Sequence, residues 1–187
     1  LKIDASGLTI NGAAVGGGGA MEFFSKTTFS AAVSSVNFTG LAMTGYSQFR
    51  IIASDIAPAS SQDMFKARVL NSSNVAITTT KYGSKVVKDG TLQFSSNSRG
   101  DFLLLGDTYS GYKTVMTADY SLTPDGKSVF LIADLDDRAN TAGTGPRQVR
   151  ASGSYTATTT ISFGGISFYM NSGNIAAGST FTLYGIK

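Results

Sequence analysis

The closing stretch Gly173-Asn174-Ile175-Ala176-Ala177-Gly178-Ser179-Thr180-Phe181-Thr182-Leu183-Tyr184-Gly185-Ile186-Lys187 decides how the rest of the chain is read. Gly178-Ser179 supplies a turn, after which Phe181 and Leu183 alternate with Thr180, Thr182 and Tyr184. Period-two alternation is what a half-buried strand requires. A terminal strand is held by its neighbours, so this one is expected to be an integral member of a sheet.

The segment before it repeats the pattern with one interruption. Ile161 and Phe163 are odd-numbered, whereas Ile166, Phe168 and Met170 are even, and Gly164-Gly165 sits where the parity changes. One inserted residue restores the inward face, as a β-bulge does, and glycine tolerates the required backbone. The spacing predicts one continuous, bent strand over Ile161–Met170.

Strand-and-turn patterning fills the chain from Met21 onward. Phe23–Phe29 and Val33–Phe38 read as strands, followed by Ser47–Ile56 with Phe49, Ile51 and Ala53 on one face and Pro58 beyond its end. Phe65, Ala67 and Val69 then point inward, which leaves Lys66 and Arg68 to water. Asn71-Ser72-Ser73-Asn74 is expected to lead by a hairpin loop into a strand over Val75–Thr80, and Asp89-Gly90 to turn Val86-Val87 back into Leu92-Gln93-Phe94. Phe102-Leu103-Leu104-Leu105 is apolar at every position, which fits the centre of a sheet or a subunit interface. Met116, Ala118, Tyr120 and Leu122 alternate, Pro124-Asp125-Gly126 reverses the chain, and Ser128–Asp134 returns with two largely apolar faces. Val149, Ala151 and Tyr155 mark a weaker strand. At least nine strands at roughly 8–12-residue spacing, with no helical periodicity, predict an all-β sandwich, jelly-roll-like in its two sheets.

Composition agrees. Among 187 residues, 14% are charged and 22 are glycine, with a single glutamate, Glu22. Solvation by hydroxyls and turns rather than by Lys and Glu is a β-rich profile. The net charge is +3, from 15 basic and 12 acidic residues spread without a run, so no nucleic-acid footprint is present. No apolar stretch approaches the ~18 residues of a membrane span, and none has a signal-peptide pattern. Cysteine and histidine are both absent. That removes a disulfide framework, the commonest zinc and copper ligands, the usual general base and the thiol nucleophile.

The first fifteen residues carry only Leu1, Ile3, Leu8 and Ile10 as sizeable apolar side chains before Ala13-Ala14-Val15. Such a segment either winds with two further copies, burying Ile3, Leu8 and Ile10 between them, or adds a strand to the main sheet. Gly16-Gly17-Gly18-Gly19 follows as a flexible joint. Residues 1–15 are therefore expected to end a shaft, 16–20 to link, and 21–187 to form the sandwich. The chain opens on Leu rather than Met and is expected to be part of a longer protein.

Two pieces of sequence carry a family resemblance. The closing Gly178-Ser179-Thr180-Phe181-Thr182-Leu183-Tyr184-Gly185-Ile186-Lys187 resembles the C-terminal end of β-sandwich domains on bacteriophage fibre and tail proteins. The opening Gly7-Leu8-Thr9-Ile10-Asn11-Gly12-Ala13-Ala14-Val15-Gly16 is similar to the last shaft segment of trimeric phage fibres, before a globular head. The resemblance implies a virion protein on the surface of an extracellular particle. It would be a homotrimer, in contact with other virion proteins and with a host surface glycan. A lectin-like carbohydrate-binding module of a larger secreted protein or adhesin is the alternative, and a depolymerase a third reading.

Chemistry-bearing constellations are few. No Gly-x-Ser-x-Gly elbow is present, and Asp55, Asp89 and Asp125 read as turn residues. No enzyme activity, cofactor or metal is expected. The one acidic cluster, Asp134-Leu135-Asp136-Asp137, offers two alternate carboxylates that either meet a Ca²⁺ or solvate a loop end beside Arg138. Arg99-Gly100-Asp101 spells an adhesion tripeptide but reads as a turn entering a strand. For binding, Tyr109, Tyr112 and Lys113, beside Asp107 in a Gly-broken loop, form one candidate patch, since tyrosine gives contact area at little entropic cost. Arg138 and Arg147 bound the other, the long stretch Arg138–Arg147, whose arginines suit acidic groups.

Overall fold

The computed structural model describes residues 2–4, 7–10, 13–14, 21–41, 45–60, 62–123, 127–137, 147–157 and 163–187. The Gly-rich joint, the Pro124-Asp125-Gly126 turn, Ile161 and Arg138 lie outside the described residues. Among those described there are fifteen strands and no helix. Three short ones, β1 (Lys2–Asp4), β2 (Gly7–Ile10) and β3 (Ala13–Ala14), pair among themselves and add no strand to the main sheets.

The remaining twelve strands form two antiparallel sheets. The smaller has the order β10-β7-β14-β5, built from β5 (Ser35–Thr39), β7 (Gln62–Asn71), β10 (Phe102–Tyr109) and β14 (Phe163–Met170). The larger has the order β4-β15-β6-β11-β12-β13-β8-β9. Its strands are β4 (Met21–Thr28), β6 (Gln48–Ile56), β8 (Tyr82–Lys88), β9 (Thr91–Arg99), β11 (Thr114–Leu122), β12 (Ser128–Asp137), β13 (Arg147–Thr156) and β15 (Thr180–Ile186). The chain is an all-β sandwich of four strands over eight.

Alternation builds the core. Phe49, Ile51 and Ala53 of β6, Met116, Ala118 and Tyr120 of β11, and Phe181 and Leu183 of β15 are all buried. They face Phe65, Ala67 and Val69 of β7 and Ile166, Phe168 and Met170 of β14. Aromatic rings close the middle: Phe65 stacks on Phe168 at 5.9 Å, and Phe168 meets Phe181 of the other sheet at 6.0 Å. The terminal strand β15 lies between β4 and β6, paired on both edges, as its alternation predicts.

The bulge in β14 is where parity places it. Phe163 pairs with Asn71 and Gly165 with Leu70, so one extra residue, Gly164, stands opposite the ladder. A Cβ on Gly164 would overlap the Asn71 carbonyl oxygen, and one on Gly165 the Phe38 carbonyl oxygen, so both flanking strands press on this point. A second bulge falls in β6, where Thr114 pairs with Ile56 but Met116 with Ala53. Asp55 therefore sits within a strand at φ 58° rather than in a turn, and it swings Ile56 into the core. The Asp89-Gly90 hairpin has positive φ at both residues, 48° and 77°.

Several expectations are corrected. Val75–Thr80 forms no strand; Ala76 makes only an isolated bridge to Leu70. Phe102–Leu105 belongs to β10, an edge strand of the smaller sheet rather than its centre. Its four apolar residues are nevertheless buried, because β10 packs beneath β13, β8 and β12 of the other sheet. Ser84 Oγ accepts from Leu103 N at 2.9 Å and donates to Leu103 O at 3.2 Å, satisfying the edge backbone there. Gly153 explains why β13 reads as weak: a Cβ at this inward position would overlap the Phe102 ring. Lys66 and Arg68 do not face water as alternation alone implied; Lys66 is buried and Arg68 half-buried.

Candidate functional site

The described flanks of the two segments singled out for binding lie at one end of the larger sheet. Thr114 of β11 pairs with Asp137 of β12, and Asp137 with Arg147, so the start of β11, the end of β12 and the start of β13 lie in one row. The first segment is less of a loop than its sequence implied. Asp107 and Tyr109 are inside β10, and only Ser110 and Gly111 form the bend, with Tyr112 N donating to Tyr109 O at 3.2 Å. Gly111 takes φ 85°, which a turn of this kind reserves for glycine. Tyr109 is half-buried, Tyr112 is 37% exposed, and Lys113 Nζ lies 3.0 Å from Asp55 Oδ1 at the β6 bulge. Arg147 opens β13 half-buried; Arg138 lies outside the described residues.

A second surface, not anticipated as a site, occupies the outer face of the larger sheet. Its centre is β12, whose inward residues Val129, Leu131, Ala133 and Leu135 are buried. The outward row begins with Phe130 and Ile132, 46% and 48% exposed, and continues with exposed Asp134 and Asp136. Phe130 stands between Ser121 and Ser154 on the flanking strands, and Ile132 between Asp119 and Ser152. One row further out are Gly83 and Lys85 of β8. All of these but Asp119, with Ser95 and Asn97 of β9, line an open depression of about 620 Å³. A second of about 480 Å³ continues along the same strands, lined by Thr117, Asp134, Asp136, Gln148 and Arg150 among others. Asp134 pairs with Arg150 at 3.2 Å. Toward the other side, Arg50 binds both oxygens of Asp119 at 2.7 Å. The signal for this surface was the apolar character of both faces of Ser128–Asp134.

The outer face of the smaller sheet holds a charge cluster built on Asp101. Arg99 Nη2 donates to its Oδ1 at 2.7 Å, and Lys66 Nζ and Tyr169 Oη to its Oδ2 at 3.2 and 3.0 Å. Arg68 lies 3.7 Å from Oδ2, donates to Gly100 O at 3.0 Å and covers the Tyr169 ring. Burial works to raise the Asp101 carboxyl, but hydrogen bonds from Arg99 and the charges of Lys66 and Arg99 outweigh it and hold the group below its ordinary value. Burial, reinforced by the Asp101 charge, pushes the Tyr169 phenol up. The Arg99-Gly100-Asp101 tripeptide is thus a turn entering β10, with its carboxylate buried and occupied, which is unsuited to presentation as an adhesion loop.

A further notable surface is β4, an edge of the larger sheet. Met21, Phe23 and Phe24 are 42%, 58% and 43% exposed. Phe23 rests on Tyr184 and Phe24 on Tyr46 and Phe49, so both faces of the strand carry aromatic surface. Its one acid, Glu22, pairs with Lys187 at 2.8 Å and accepts from Tyr46 Oη at 3.0 Å.

Among the described residues, no three His, Cys, Asp or Glu side chains converge as a cation site. Asp134 and Asp136 present their carboxylates outward along a strand. No family model matches this chain, and no curated protein does. Among solved structures, a chain from the structure of the infectious bursal disease virus Gx strain aligns at 10% identity and a TM-score of 0.12. That alignment covers 89% of this chain and 40% of the other, and a likeness so slight carries no argument.

Proposed function

We propose that this chain is a structural virion protein, the β-sandwich head of a trimeric bacteriophage fibre or spike, which mediates attachment to a host surface or contacts on the particle surface. The observation that carries this reading is β4. An edge strand with unpaired backbone groups and aromatic side chains on both faces is a template for association. Soluble proteins blunt such edges with charge, proline or a covering element, and β4 has only Glu22, paired with Lys187, and Lys26 to do so. Here Phe23 and Phe24 stand more than two-fifths exposed, immediately after the segment that resembles a fibre shaft. Burial of these edges between three copies explains why the strand keeps Met21, Phe23 and Phe24 exposed, and a symmetric assembly would supply the robustness that a cysteine-free extracellular domain needs.

Attachment then falls to surfaces away from β4: the end bearing Tyr109, Tyr112, Lys113 and Arg147, and the broad outer face centred on Phe130. A lectin-like module of a larger secreted protein is the second reading, and the Phe130 face favours it equally; it differs in requiring no self-association. The test is competition. Purified chain added before phage infection of a susceptible culture should reduce adsorption in a dose-dependent way, and antibodies to it should label the particle. An unlabelled particle and unaffected adsorption would count against the reading.

A further inference from the structure

We propose that the trough on the outer face of the larger sheet, floored by Phe130 and Ile132, is a binding site for a neutral, hydroxyl-rich glycan chain. The proposal deepens the attachment reading above and rests on it for its biological setting.

Four features of the trough point to such a ligand. Phe130 and Ile132 sit mid-sheet, on a strand paired along both edges, so their exposure is not the fraying of an edge. Single exposed apolar residues are ordinary, but two neighbours on one sheet face make a patch. Next, their surroundings are small: Ser121, Ser154 and Gly83 stand beside Phe130 and leave its ring accessible. The C–H faces of a sugar ring stack on such an aromatic surface. The walls then supply what the sugar's edges need, with hydroxyls from Ser95, Ser152 and Ser154, the Asn97 amide and the Lys85 ammonium around the apolar floor. An apolar base with a few convergent polar groups is the usual make-up of a small-molecule site.

The fourth feature is charge along the trough. The Phe130 depression has one charged lining residue, Lys85. The adjoining depression brings Asp134 and Asp136, only the first of which is ion-paired with Arg150. From Phe130 to Asp136 the outward row spans about 20 Å at strand spacing. A neutral chain would stack at the Phe130 end and donate hydroxyl hydrogen bonds to the carboxylates at the other. A polyanionic chain of the same length would be repelled there. The open shape suits an extended polymer rather than an enclosed small molecule.

The test is an NMR titration of the whole chain, observing the Phe130 ring and Ile132 methyl signals. The probes are gluco-, galacto- and manno-configured neutral hexasaccharides, with uronic-acid hexasaccharides alongside. At least one neutral probe should shift both residues. Phe130→Ala should weaken that binding at least tenfold while Phe130→Trp retains it, with melting temperature and light-scattering mass unchanged in both. Absence of binding by every neutral probe, binding by the uronic acids alone, or undiminished binding by Phe130→Ala would each overturn the proposal. A changed mass in Phe130→Ala would also overturn it, by making the face a subunit contact. A monomer that binds through Phe130 sinks the fibre reading and leaves the trough; a trimer with no neutral ligand sinks the trough alone.

Discussion

Asp101 sets the charge balance on the outer face of the smaller sheet, because Lys66, Arg68 and Arg99 all converge on its carboxylate. Replacing it by asparagine would leave three cations without that partner, with Lys66 buried, and breaking a buried pair from one side typically costs about 3 kcal/mol or more. The pH dependence has a definite sign. The folded-state carboxyl lies below its ordinary value, so its contribution is complete above the unfolded value of about 4 and is lost as pH falls through the folded value. Urea denaturation should therefore show Asp101→Asn destabilised at pH 7, with the gap to the parent closing as pH falls below about 4. A gap that stays constant on acidification would mean the carboxylate is not what holds the turn. This cluster was illegible in the sequence for a physical reason. Alternation assigned Lys66 and Arg68 to the face away from the core, correctly, but not what else covers that face. The covering residues, Arg99–Asp101 and Tyr169, come from distant positions in the chain.

The elements were more legible than the contacts between them. Period-two alternation located β6, β7, β11, β14 and β15, and Asp89-Gly90 located a hairpin, because both signals are local. Val75–Thr80 misled for the opposite reason: its composition suits a strand throughout, but only Val75–Ile77 pair, across the hairpin with Val69–Asn71 of β7, and composition does not show where pairing stops. Phe102–Leu105 showed burial without showing whether a central strand or a covered edge provides it. The bulge in β14 tests how far local reading extends. Gly165 lies at φ 155° with the Phe38 carbonyl where a Cβ would be. Gly165→Ala should lower stability by about 2–3 kcal/mol, since the backbone of β5 cannot yield cheaply. Gly106→Ala in β10, where a Cβ would meet nothing within 4 Å, should change it by less than about 0.5 kcal/mol. Equal stabilities for the two variants in denaturant titrations would mean that the strands do not press on Gly165 as the geometry requires.

At the scale of the whole molecule, a four-over-eight sandwich leaves three kinds of surface: the aromatic edge of β4, the Phe130 trough, and the end where Tyr112, Lys113 and Arg147 emerge. The sandwich itself followed from composition and turn spacing. The surfaces did not, because exposure of an apolar side chain depends on which strands flank it, and pairing order is non-local. Tyr109 and Tyr112 were legible only as contact-prone residue types; the register then places the start of β11, just after Tyr112, two strands from the start of β13. The trimer is the claim on which the proposed function turns, and β4 makes it testable without the host or the rest of the particle. Sedimentation equilibrium of this chain should return a mass of roughly three times 19.4 kDa, and Phe23→Lys should reduce it to that of one chain without lowering the melting temperature. A parent protein that sediments as a single 19.4 kDa species at micromolar concentration would contradict the account.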